Sequence, residues 1–166
     1  MLAKTVHLND AEATRKLGML IGENLEPGLV VALLGDLGAG KTTLTQALAA
    51  ALGIKEMVSS PTFLMLSEYH SGRLPLFHFD LYRLQEDMQS PSALFQMKSD
   101  MDEALLSNSV VVVEWLNLWE DFAADYEQLR VELRYLSGSN GREATFSASG
   151  PRAQALLDRI TAGCHA

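Results

Sequence analysis

The chain has 166 residues, enough for one well-packed domain and too few for two comfortable ones. With 48% hydrophobic and 20% charged residues it has the composition of an ordinary water-soluble globule, and it contains neither an apolar run of membrane-spanning length nor an initial secretory pattern, so a cytoplasmic protein with no membrane partner is expected. A net charge of −8 speaks against an extensive direct grip on nucleic acid, which needs a basic footprint.

In chain order, residues 5–8 read as a short strand, followed by Asn9 with Glu12 three positions on, a capping-box pattern. The helix expected next carries Ala13, Leu17, Leu20 and Ile21 on one face. Residues 29–34 form an apolar run suited to a strand buried on both faces. Gly35-Asp36-Leu37-Gly38-Ala39-Gly40-Lys41-Thr42 then fills every fixed position of the pattern G-x-x-x-x-G-K-[ST]. A helix follows, with Leu44, Ala47, Leu48, Ala51 and Leu52 at helical spacing and Gly53 at its end.

Strand, glycine loop and helix in this order suit a phosphate site. Glycines let successive backbone N–H groups turn inward at the positive end of a helix, which makes a nest for anions. Gly35, Gly38 and Gly40 free the backbone for this nest, and Lys41 reaches the β- and γ-phosphates. The Thr42 hydroxyl ligates Mg²⁺, while Thr43 offers a second hydroxyl near the α-phosphate. ATP and Mg²⁺ are therefore the expected ligands. Adenine is preferred because the guanine-reading pattern has only an imperfect echo at Met97-Lys98-Ser99-Asp100, in surroundings that read as irregular.

Beyond this helix, residues 59–66 read as a loop passing into a strand, and residues 74–80 as another strand. Residues 84–109 are mixed, with a short helix expected around 102–106, and residues 110–113 are a buried strand of four valines. Residues 130–136 and 142–148 alternate apolar and polar around Gly138-Ser139-Asn140-Gly141, a hairpin. Pro151 suits the first position of a closing helix. The fold class is α/β: a three-layer P-loop NTPase-type domain, with a mostly parallel sheet and a C-terminal antiparallel hairpin, in one unit over residues 1–166.

Two acids end apolar strands. Glu114 follows the valines, as does a carboxylate delivered to a nucleotide's Mg²⁺, the alternative being an ordinary exposed acid. Asp80 ends its strand in the same way, and could instead cap the turn at Leu81 and Tyr82. Trp115 falls beside the site as a stacking surface or a wall against water, whereas Trp119 reads as core or interface. His70 and His78 have no metal-like spacing and read as structural; Cys164 reads as a plain terminal thiol.

Together, Gly35 to Thr43, Ser60-Pro61-Thr62-Phe63, the segment His78-Phe79-Asp80-Leu81-Tyr82-Arg83-Leu84 and Glu114-Trp115 resemble the TsaE (YjeE) family. These are small P-loop ATPases of tRNA threonylcarbamoyladenosine synthesis, at the adenosine 3′ of the anticodon. The resemblance implies that residues 38–43 hold phosphates and that Thr42 and Glu114 hold Mg²⁺. It implies that Asp80 acts near the γ-phosphate, that Thr62 belongs to a loop responsive to nucleotide state, and that Trp115 flanks the site. Arg142 either approaches the nucleotide or is a surface charge of the hairpin.

The resemblance further implies an accessory role: docking on a complex of TsaB and TsaD, with hydrolysis resetting that complex between turnovers. Two alternatives compete, a nucleotide-gated interaction module with little hydrolysis and a small-molecule kinase. The chain departs from the family pattern at Leu116-Asn117, where Pro and an acid are common, and at residues 85–101, which are rich in Met and Ser and lack Gly.

Overall fold

The computed structural model describes residues 4–61, 65–82, 91–115 and 124–164. In chain order the elements are β1 (Lys4–Leu8), α1 (Ala11–Asn24), β2 (Val30–Leu34), α2 (Lys41–Ala51), β3 (Leu66–Tyr69) and β4 (Leu76–Asp80). Then follow α3 (Pro91–Leu106), β5 (Val110–Glu114), β6 (Gln128–Tyr135), β7 (Arg142–Ser149) and α4 (Pro151–Gly163).

The seven strands form one sheet in the order β1-β7-β6-β2-β5-β4-β3. Its central four strands, β6, β2, β5 and β4, are parallel, and antiparallel strands complete both edges. The valine runs explain the centre. Every residue of β5 is buried, as are the first four of β2, because helices cover both faces. Alternate strand residues divide between two cores. Val31, Leu33, Leu76 and Val112 pack with Leu17, Leu48 and Leu156 of α1, α2 and α4. Val30, Ala32, Phe79, Val111 and Val113 pack with Met97, Met101 and Ala104 of α3. Each fully buried aliphatic side chain contributes about 1.5–3 kcal/mol relative to exposure. The expected three-layer α/β architecture is therefore present.

The α1–α2 contact fixes the glycine loop's helix in place. A Cβ on Gly18 would lie 2.5 Å from the Leu44 carbonyl oxygen and 2.7 Å from Ala47 Cβ, and one on Gly22 equally close to Leu48 O and Ala51 Cβ. Backbone rather than side chain meets α2 at these two points, so the helices approach closely.

Local expectations shift in three places. The side-chain cap of α1 is Asp10, not Asn9: Asp10 Oδ1 accepts from Ala13 N–H at 2.8 Å, and the capping-box reading was one residue early. Among the described residues the strand expected within residues 59–66 begins at Leu66, and Met65 just before it has a left-handed backbone (φ 63) unsuited to extended pairing. The helix expected around 102–106 is far longer, running from Pro91, and it contains Lys98 and Asp100 in regular structure rather than irregular surroundings. The hairpin stands where expected, and Pro151 opens α4.

Candidate functional site

The ends of β2, β5 and β4 define the site, since ligands of parallel sheets gather at the carboxyl edge of the strands. Beyond β2 the chain turns sharply at Gly35. Its φ is 136°, and a Cβ there would come within 2.3 Å of the Leu133 carbonyl oxygen on β6, so only glycine fits. The loop closes at Gly40, the N-terminal cap of α2, and Lys41 and Thr42 begin the helix. Its first-turn N–H groups give this end a positive potential.

Lys41 is buried, with its Nζ donating to the carbonyls of Gly35 at 2.6 Å and Asp36 at 2.9 Å. The same ammonium lies 3.9 Å from the centroid of the Trp115 ring. Burial pushes its pKa down, opposed by the charges of Glu114, Asp80 and Asp36.

Register brings the two acids together: β4 and β5 pair in parallel with Asp80 opposite Glu114, while Leu33 of β2 is opposite Glu114 on the other side. Both carboxylates are buried, at 1% and 2% exposure. Ser60 Oγ donates to Asp80 Oδ2 at 2.5 Å, and Tyr82 N–H donates to Oδ1 at 2.9 Å. Asp80 thus both caps the following turn and faces the cavity; the two readings of its sequence position are compatible. Glu114 Oε1 accepts from His78 Nε2 at 2.9 Å, in a pair that solvent barely reaches.

Trp115 follows in a left-handed backbone conformation (φ 66) rare for an aromatic residue, held by its N–H donating to Leu33 O at 3.1 Å. This bend turns the indole over Lys41 and against Tyr82, with ring centroids 5.2 Å apart. The cleft beneath them has a volume of about 330 Å³, and Gly38, Gly40, Lys41, Thr42, Thr43, Ser60, Asp80, Glu114 and Trp115 all line it.

Not every sequence candidate reaches that cavity. Ala39 is buried in the loop and is not part of the wall. Arg142 lies behind the loop, with Nε donating to Ala39 O at 3.3 Å and its guanidinium 4.9 Å from the Tyr135 ring centroid. Tyr135 in turn donates its hydroxyl to the Gly38 carbonyl. Thr62 and Trp119 lie outside the described residues, as do Leu116 and Asn117. His70 stays at the surface beside Glu68, and burial pushes the Cys164 thiol pKa up.

Three residues were missed from sequence: His78, Ser60 and Tyr82. The signal for His78 was available, since a residue two before Asp80 on a strand shares its face.

The donor set has a definite chemical bias. Two buried carboxylates meet one ammonium, so a polyphosphate alone would face repulsion, while a polyphosphate with a divalent cation would not. Among the described residues no group of three or more His, Cys, Asp and Glu could hold a metal by itself. A hard cation here would take few protein ligands, from Thr42 and Glu114, and the rest from phosphate and water, which is how Mg²⁺ is ordinarily held. The residues present fit that group.

Residues 8–144 match the family described as threonylcarbamoyl adenosine biosynthesis protein TsaE. The chain is 37% identical over 150 residues to the Bacillus subtilis tRNA threonylcarbamoyladenosine biosynthesis protein TsaE, covering 90% of this chain and 89% of that one. The Mycobacterium tuberculosis protein of the same name is 41% identical over 150 residues, covering 86% of each. A crystal structure of Bacillus subtilis YdiB superposes with a TM-score of 0.77 at 32% identity, covering 98% of this chain and 96% of that chain. The match spans the glycine loop, both acids and the hairpin arginine, and the chain belongs to the TsaE family.

Proposed function

We propose that this protein binds Mg-ATP in the cavity at the glycine loop and hydrolyses it slowly, as an accessory ATPase in the formation of threonylcarbamoyladenosine in tRNA. The observation that carries the reading is the convergence of Lys41, Asp80 and Glu114 on one cavity beside the α2 N-terminus. The names of its relatives supply the pathway. Residues 38–43 cradle the phosphates through backbone N–H groups, Lys41 and the two threonine hydroxyls. Mg²⁺, when bound, supplies charge neutralisation on the β- and γ-phosphates, and Thr42 and Glu114 would hold it. Asp80 orients the attacking water by accepting its hydrogen bond. Trp115 walls the γ-phosphate end of the cavity from bulk water.

Slow turnover alone and faster turnover in complex are supported by the sparse cationic surround. Among the described residues Lys41 is the one cation lining the cavity, with Arg142 turned to the outside of the loop. Charge on a transferring phosphoryl group is ordinarily stabilised by more than one cation, and a second is often supplied by a partner. A TsaB–TsaD complex, reset by each hydrolysis, is the proposed partner, and a cytoplasmic setting is proposed with it. No helix among the described residues is long and apolar enough to cross a membrane.

The test is Mg²⁺-dependent ATP hydrolysis by the pure protein, with and without TsaB, TsaD and tRNA. Stimulation by the partners is the expected result. Robust hydrolysis indifferent to them would overturn the accessory role, and γ-labelled phosphate passing to a metabolite would point to a kinase instead.

A further inference from the structure

A buried carboxylate beside a buried lysine has a ready competitor for its charge, which is the lysine. Among the acids acting on Lys41, Glu114 acts most strongly. Yet Lys41 Nζ spends its described hydrogen bonds on the Gly35 and Asp36 carbonyls, not on a carboxylate. Glu114 Oε1 is instead taken by His78 Nε2 at 2.9 Å. His78 is fully buried on β4, two residues before Asp80 and on the same face.

Facing a carboxylate, Nε2 must carry the proton. The other ring nitrogen, Nδ1, is buried and has no hydrogen-bond partner among the described residues. An apolar side chain would fill this place without that cost, as Leu76 does one pleat earlier on the same strand. The polar commitment of the ring is to Glu114.

We infer that His78 is a positioning residue: its Nε2–H pins Glu114 in the cavity wall, away from the Lys41 ammonium. The carboxylate is thereby kept for a divalent cation and the ammonium for phosphate. This inference rests on the Mg-ATP reading of the cavity. It adds a role to a residue that touches neither ligand, in the way outer-shell partners orient metal ligands elsewhere.

The experiment compares the wild-type protein with His78→Leu, His78→Gln and His78→Asn. Calorimetry gives the ATP affinity in EDTA and the Mg²⁺ concentration that half-saturates the Mg²⁺-dependent gain. In His78→Leu that concentration should rise about 10–100-fold, with ATP affinity in EDTA little changed. Glutamine places an amide N–H near the position of Nε2 and should restore the wild-type Mg²⁺ requirement; asparagine is too short and should not. Equal losses with and without Mg²⁺, or identical behaviour of the Gln and Asn variants, would overturn the inference and leave His78 a packing residue.

If the leucine variant fails to fold, the Gln–Asn pair still decides. Imidazole ¹⁵N spectra of the wild-type protein give a readout independent of ATP: an Nε2-protonated ring is expected, and an Nδ1-protonated ring would contradict the bond. Absence of ATP binding by the wild-type protein at any Mg²⁺ level would sink the Mg-ATP reading. Normal wild-type binding with an unaffected leucine variant would sink the His78 role alone.

Discussion

The two flanks of the glycine loop are built on opposite plans. On the β4–β5 side the charged side chains Asp80 and Glu114 are buried and line the cavity, and the buried His78 holds Glu114 from outside it; each is at most 2% exposed. On the β6–β7 side Tyr135 and Arg142 are partly open to solvent, and they bond to loop carbonyls from outside. On the first flank the carboxylates are withdrawn from bulk water into surroundings where charges act strongly. The second props the loop's backbone without entering the cavity. Arg142, which the sequence leaves open between a nucleotide contact and a surface charge of the hairpin, bonds to the Ala39 carbonyl from outside the cavity.

Substitutions on the two flanks should therefore differ in size and kind. The largest effect is expected from Lys41→Ala or Asp80→Asn, each lowering ATP hydrolysis by about 10²–10³-fold, measured by phosphate release. Next comes the scaffold beneath both flanks. Gly18→Ala forces a methyl against the Leu44 carbonyl, which should cost about 1–3 kcal/mol of stability. Thermal unfolding reads that as a fall of about 2–4 °C per kcal/mol. A melting temperature unchanged by Gly18→Ala would mean that α1 and α2 are not so closely apposed.

Smaller again is Arg142→Ala, which removes one hydrogen bond to the loop, worth about 0.5–1.5 kcal/mol, and the stacking on Tyr135. ATP affinity should weaken a few-fold, while the Mg²⁺ requirement stays as in the wild type. A loss as large as that of Lys41→Ala would break the comparison and place Arg142 on the nucleotide. Tyr135→Phe, which deletes only the hydroxyl bond to Gly38, should have the least effect on ATP affinity.

How much of this was legible from sequence follows the same division. The valine runs and the helical spacing after Gly40 are local patterns, so the parallel centre of the sheet and the place of the loop could be read directly. Asp80 and Glu114 were legible because each ends an apolar run, and runs of that kind end at one edge of a parallel sheet. Pairing register was not legible. It is what sets Asp80 opposite Glu114 and brings His78 within 2.9 Å of Glu114 across 36 residues of chain. Nor was the outward turn of Arg142, since a strand's first residue can face either way until its pairing with Tyr135 and Leu8 is known. The long α3 was hidden because Met, Ser and Asp dilute its apolar face.

The most direct test of the central claim is equilibrium dialysis of ATP against the wild-type protein, with and without Mg²⁺. Two buried carboxylates facing one buried ammonium predict markedly tighter binding when Mg²⁺ is present. Equal affinity in the two conditions, or no binding in either, would contradict the assignment of this cavity to a metal–nucleotide complex.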